Sequence, residues 1–208
     1  MTGADLLFDA DAHTYRSPAG VLVPSVTTIL KATGVSTDFE ALPNREAIER
    51  KRAIGTALHS DIHAFDDGDL DWSTVHPEVL PYVEAWAQFR ESMRLTPRTR
   101  ERRVWHQTLG FCGTLDGIFD GANVGAGVLI DVKTGDPKAA AAQFQTAGYQ
   151  LALAYDDPAA LELRRWSVQL TPGRRVPYVI TPYADWQDVT TWQSIVATFY
   201  ANPNRRAA

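Results

Sequence analysis

With 208 residues, 45% of them hydrophobic and 22% charged, the chain has the size and composition of one soluble globular domain that buries a substantial core. It has no run near the roughly 18 to 20 apolar residues of a membrane span; its opening, MTGADLLFDAD, lacks the basic flank and apolar block of a secretory signal; and its single cysteine, Cys112, excludes an internal disulfide and a cysteine-ligated zinc or iron–sulfur site. The formal charge of −5 does not suggest a nucleic-acid binder, but net charge says little where the signs are segregated along a chain.

Residues 1–38 alternate around His13, Tyr15, Val21 and Val23 across a Ser-Pro-Ala-Gly break, which predicts a short hairpin at an edge before the SVTTIL run. Helical spacing starts near Phe39 and continues through Ile48, Ala53, Ala57, Leu58, Ile62 and Phe65, with His59 and His63 four apart on the same helix. From Ala53 to Phe89 there is no lysine or arginine, and seven acids fall there: Asp61, Asp66, Asp67, Asp69, Asp71, Glu78 and Glu84. A second helix is expected from about Pro77 to Met93, turning Val79, Val83, Trp86 and Phe89 inward. The connector that follows carries the opposite charge. Arg90, Arg94, Arg98, Arg100, Arg102 and Arg103 stand against only Glu91 and Glu101, which reads either as a phosphate-binding edge or as an ordinary solvated face.

The periodicity then changes. RVWHQTLGFCGTLDGIFDG gives short β-rich runs broken by glycine, GANVGAG a hairpin loop, and GVLIDVKTG an apolar strand ending in a turn, which together predict the centre of a sheet. KAAAAQFQTAGYQLALAYDD, after Pro137, predicts a helix. Residues 164–183 give two strands around TPGRR, and 183–200 an amphipathic helix. No repeat or linker divides the chain, so 1–208 is read as one α/β domain: a hairpin edge (1–38), a helical part (39–95), a mixed sheet with its helix (100–183), and a closing helix and tail (184–208).

Strand side chains alternate, so Asp131 and Lys133 share a face about 7 Å apart while Ile130 and Val132 mark the apolar one. A bland surface pair would look the same. Asp116 ends the preceding run GTLD, and a hairpin joining the two runs can bring its carboxylate beside Asp131. Two such carboxylates repel unless a cation lies between them, and Mg²⁺ or Mn²⁺ takes one or two carboxylates together with water and phosphate oxygens. A lysine there can orient or help deprotonate an attacking water and offset charge on phosphorus. Gln145 and Tyr149, four apart on their helix, can both look toward the edge from which Lys133 projects. Taken alone, His59 reads more simply as a packed histidine, and His13, His76 and His106 as structural or exposed. His59 with His63 has the spacing of helical zinc ligands but lacks the following glutamate of the metalloprotease motif. Thr134 and Gly135 finish the strand where backbone can approach a phosphate, Asp120 and Asp136 are spare carboxylates, and Cys112 is a small buried apolar group.

GTLD, then IDVKTG, then a helix carrying QTAGY resembles the PD-(D/E)XK nuclease superfamily, in its RecB-like and phage exonuclease branch. GTALH at 55–59 resembles the helical histidine motif of that branch, Glu101 takes the place of the acid preceding GTLD, Gln145 and Tyr149 match QxxxY, and PSVTTIL resembles the opening of phage members. Asp131 stands where many relatives have glutamate. The QxxxY element is shared with Cas4-related nucleases, whose iron–sulfur cysteines are absent here. The resemblance implies a restriction-endonuclease-like core and a metal site of His59, Asp116, Asp131 and the Val132 carbonyl. Lys133 then acts on the water, and Gln145, Tyr149, Glu101 and Thr134 meet the substrate. It implies a Mg²⁺- or Mn²⁺-dependent deoxyribonuclease acting on linear duplex or single-stranded ends in phage or bacterial recombination and repair. That protein would work in the cytoplasm, the host's if phage-encoded, with no membrane contact and with room for a single-strand annealing partner or self-association. A catalytically inactive DNA-binding or scaffolding module of the same fold is the alternative, and an iron site of His59, His63 and Asp116 a third reading.

Overall fold

In a computed structural model the described residues are 3–10, 12–36, 45–134 and 140–202. After a 3-10 turn at Gly3–Asp5, strands β1 (Leu7–Asp9), β2 (Thr14–Arg16) and β3 (Leu22–Val23) form a small antiparallel sheet in that order. The expected hairpin is therefore three strands. The SVTTIL run that follows is helix α1 (Val26–Ala32). Its β-branched residues would favour a strand, but Ser25 caps the helix by accepting the Thr28 N–H, and Val26, Ile29 and Leu30 are buried.

Helix α2 (Arg45–Asp67) and helix α3 (Leu80–Met93) supply the helical part. The expected start of the first, near Phe39, lies outside the described residues. The second begins later than Pro77 because Pro81 occupies its first turn, where a missing N–H costs nothing. Among the described residues no helix is long and apolar enough to cross a membrane.

A five-stranded sheet follows, in the order β4-β5-β6-β7-β8: β4 (Thr96–His106), β5 (Phe111–Asp120), β6 (Val128–Lys133), β7 (Arg164–Leu170) and β8 (Tyr178–Tyr183). Neighbours are antiparallel except β6 and β7, which are parallel and joined through helix α4 (Ala140–Asp156), as a parallel pair requires. Helix α5 (Gln187–Ala201) closes the chain, starting after residue 183 because β8 takes up Tyr183. Of the arginine-rich stretch expected as a connector, Arg90 lies in α3 and Arg94 caps it, while Arg98 to Arg103 lie in β4, whose backbone pairs with β5 from Thr96↔Asp120 to His106↔Phe111.

Side-chain alternation divides β6 between two cores. Val128, Ile130 and Val132 pack with Leu58, Ile62, Val83, Trp86 and Phe89 of α2 and α3. Leu129 faces the opposite core, with Ala147, Tyr149 and Leu153 of α4 and Trp192 and Phe199 of α5. Asp131 and Lys133 follow Leu129 in phase, so they project toward α4.

The acid-rich and arginine-rich blocks meet in space. Arg90 binds Asp66, Arg100 binds Asp67, Arg98 binds Asp120, and Arg50 binds Glu78. Three of the six block arginines are thus held by carboxylates, which reduces the proposed phosphate edge. Another ion pair is buried on the far face: Arg165 donates to Asp188 Oδ2 at 2.6 Å with side chains 5% and 3% exposed, and Gln143 donates to the other oxygen of Asp188. Removing one member of a buried pair strands its partner. Asp188→Ala is expected to lower unfolding stability by about 3–5 kcal/mol, read as a lower urea midpoint with an unchanged slope.

Candidate active site at the fork of β5 and β6

The ladder between β5 and β6 runs only from Phe119↔Val128 to Gly117↔Ile130. Beyond it β6 stays paired to β7 as far as Lys133↔Gln169, so β5 and β6 diverge like a fork. Divergence leaves β6 backbone groups without ladder partners, and a buried N–H must find another acceptor. Asp116 provides it, its Oδ2 accepting the Val132 N–H at 2.7 Å. The Val132 carbonyl leaves the strand on the same side as that N–H, into the fork.

The opposite neighbour of Asp116 is also irregular. Arg100↔Gly117 and Arg102↔Leu115 pair on either side, while Glu101 and Asp116 between them do not, and Glu101 has φ of 42°. A left-handed backbone at a non-glycine strand residue costs about 1–2 kcal/mol and persists only where surroundings impose it. Glu101 lines a cleft with Asp116, Val132 and His59 of α2. His59 Nδ1 lies 3.6 Å from Asp116 Oδ1, an ion-pair separation too long for a hydrogen bond.

On the α4 side, Lys133 Nζ donates to Asp131 Oδ1 at 3.0 Å and to Gln145 Oε1 at 3.1 Å. Gln145 Nε2 in turn donates to the Tyr149 hydroxyl at 3.1 Å. Tyr149 is 4% exposed, and its ring fills the space a side chain at position 113 would need: a Cβ on Gly113 would lie 2.7 Å from Tyr149 Cε1. The expected substrate contact of Gln145 and Tyr149 therefore divides. Gln145 reaches Lys133, and Tyr149 stands behind Gln145.

Asp131 is 2% exposed. Burial pushes its carboxyl up to about 6, the Asp116 charge adds to the rise, and Lys133 opposes both. For Lys133 burial opposes the charged form, but Asp131 and Asp116 outweigh it and hold the ammonium above its ordinary range. Lys133 is therefore a fixed positive charge here. Its Nζ also lies 2.9 Å from Asp131 Oδ2, but without hydrogen-bond alignment, so Oδ2 is buried with no hydrogen-bond partner.

Whether a divalent cation fits can be judged from that oxygen. Asp131 Oδ2 makes no hydrogen bond, its ion-pair neighbour being the Lys133 ammonium at 2.9 Å, and Asp116 keeps Oδ1 on the His59 side while Oδ2 is engaged. Among the described residues no three His, Cys, Asp or Glu side chains form a metal-binding group. Two carboxylates are nonetheless what Mg²⁺ or Mn²⁺ commonly takes from a protein, water and phosphate completing the shell, so Asp116 and Asp131 fit such an ion.

The other expected residues separate. His63 Nδ1 faces Asp67 at 3.4 Å, and although His63 lines the same cleft as His59 and Asp116, among the described residues the three do not form a metal-binding group. His76 Nδ1 accepts the Glu78 N–H, His106 Nδ1 the Leu109 N–H, and His13 packs against Phe8 and Tyr15. Asp120 is not a spare ligand, because Arg98 holds it. Cys112 is fully buried, and burial pushes its thiol far up. Thr134 ends the described part of the strand, half-buried; Gly135 and Asp136 lie outside the described residues. Ser167 and Tyr183 went unnoticed in the sequence. Ser167 is the register partner of Asp131, shares a 2.9 Å hydrogen bond with the Tyr183 hydroxyl, and only strand pairing reveals it.

The raised Asp131 carboxyl has a pH consequence. Between pH ~4 and ~6 the folded protein holds a proton that the unfolded chain, with an ordinary carboxyl near 3.8, has released. Stability from this group is therefore present at low pH and falls as pH rises through that window. Without added metal, the unfolding free energy of wild type minus that of Asp131→Asn is expected to decline from pH 4 to 6, by roughly 3 kcal/mol at most. A flat difference across urea titrations at several pH values would contradict the assignment.

No family model matches the sequence, and no curated protein matches it either, so the geometry of this fork carries the functional reading.

Proposed function

We propose that the chain is a metal-dependent deoxyribonuclease of the PD-(D/E)XK type, with a restriction-endonuclease-like core. The observation that carries this is the fork itself: two carboxylates from diverging strands, one of them buried, beside a lysine braced by a glutamine. The order of strands, three antiparallel followed through a helix by a parallel fourth, supports the same reading.

Asp116, Asp131 and the Val132 carbonyl would hold Mg²⁺ or Mn²⁺, with His59 at the edge of Asp116. The ion would supply Lewis-acid activation of water and charge neutralisation at the phosphate. The protein's own groups do the rest. Lys133, kept protonated by its two carboxylate neighbours, donates to a phosphate oxygen or to the attacking water and offsets the charge that builds on phosphorus. Gln145, held by Tyr149, limits the rotation of the lysine head, so the donor is oriented before the substrate arrives. Glu101 and Thr134, at the mouth, meet the flanking nucleotides. The product class is a DNA end bearing a phosphate, from phosphodiester hydrolysis in exonucleolytic processing during phage or bacterial recombination and repair, in the cytoplasm. A single-strand annealing protein and self-association fit that setting.

End-labelled duplex and single-stranded DNA, incubated with Mg²⁺, Mn²⁺ or EDTA, provides the test. Wild type is expected to cut only with metal. Lys133→Ala, Asp131→Asn and Asp116→Asn should each lose about 10²-fold or more in rate, while Gln145→Ala, removing only a brace, should lose about tenfold. Circular dichroism establishes that the variants remain folded. DNA binding without cleavage under every metal condition would replace this reading with that of an inactive DNA-binding module.

A further inference from the structure

The cleft on the α2 side of the fork is lined by His59, His63, Asp66, Arg100, Glu101 and Asp116, together with apolar side chains. Arg100 is the only lysine or arginine in that lining. Arg90 already answers Asp66, and the cleft has only about 10 Å³ of free space, so a phosphodiester arriving at its rim meets the charges of Glu101 and Asp116 with Arg100 as the lining cation.

Arg100 is held in an incompletely satisfied way. One terminal nitrogen pairs with Asp67, the other donates to the Asp66 carbonyl at 3.2 Å, and Nε is buried with no hydrogen-bond partner. A buried unpaired N–H is costly, and a guanidinium is built to offer two parallel N–H groups to one carboxylate or phosphate. The Asp67 pair is partly open to solvent, with side chains 25% and 28% exposed, so exchange of partners requires no unpacking of the core. Asp66 offers Arg100 its backbone carbonyl, while Arg90 and Trp86 both donate to Oδ1 of its carboxylate. Arg100 also adjoins the strained Glu101, at the point where β4 turns its side chains toward the cleft.

We infer that Arg100 is a substrate-binding residue parked on Asp67, which releases it to a backbone phosphate of the nucleic acid next to the one being cut. The inference rests on the nuclease reading and adds to it a specific anion ligand and a competitor. Asp67 lowers affinity by holding Arg100 in the free protein. It also screens the cation against stray anions. Arg100 makes its contact before and during the chemical step alike, so it contributes to KM far more than to kcat.

The test compares wild type with Arg100→Lys, Arg100→Gln and Asp67→Asn, by steady-state cleavage of a labelled duplex and by salt-dependent binding of the same duplex in Ca²⁺. Arg100→Lys keeps the charge and the Asp67 pair, which guards against loss of folding. It is expected to raise KM about tenfold, and Arg100→Gln more, with kcat within about twofold. The slope of log affinity against log salt should shrink by about 1 in Arg100→Gln. Asp67→Asn should move the other way and lower KM several-fold. If wild type cleaves DNA but both Arg100 variants keep its KM and salt slope, the assignment of Arg100 is overturned while the nuclease reading stands. If wild type binds DNA without cutting it, the nuclease reading falls and the salt slope still decides Arg100. Absence of both binding and cleavage overturns both.

Discussion

The architecture of the candidate site depends on one backbone hydrogen bond, the Val132 N–H given to the Asp116 carboxylate. Two paired strands normally satisfy each other, and a side chain has no place between them. Where β5 and β6 part, that requirement passes from backbone to side chain. The carboxylate that replaces the missing ladder partner is thereby fixed in the plane of the sheet, and Asp131 emerges one residue away toward α4. A single irregularity in pairing thus sets the separation and orientation of both acids, with no need for a long loop.

Charge is arranged at two levels. Along the chain, acids dominate residues 53–89 and arginines dominate residues 90–103; in space, the two blocks cancel in part through Arg90–Asp66 and Arg100–Asp67. At the fork Asp116 and Asp131 both act on one lysine, with His59 beside Asp116. In the buried pair of Arg165 with Asp188 both carboxylate oxygens are hydrogen-bonded, whereas at the fork one oxygen of the buried Asp131 carboxylate makes no hydrogen bond.

The strands bearing Asp116, Asp131 and Lys133 and the helix bearing Gln145 were legible in the sequence, because their apolar periodicities are strong and unambiguous. Alternation alone placed Asp131 and Lys133 on one face. The fork was not legible, since nothing local distinguishes a strand that stays paired from one that parts. Nor was the role of β4. Its arginines and Pro97 masked the first part of a strand whose partner is decided only by β5, and the helix at α1 is hidden by β-branched residues that outweigh a one-residue cap in any local reading. Ser167 meets Asp131 through parallel pairing across the length of α4, and Tyr183 joins it from the antiparallel β8, relations with no signature in any of these segments.

The small N-terminal sheet illustrates a different dependence. Tyr15 of β2 shares a hydrogen bond with Thr114 of β5, 99 residues later, and the Cys112 N–H binds the Pro24 carbonyl. On a ribosome the hairpin would be finished long before the surface it covers exists. Contacts of such sequence separation form late in folding, because the loop they close must first surrender its entropy. The strand that carries Asp116 is therefore clasped from outside by a segment made well before it, so its outer face is covered only once β5 itself has been assembled.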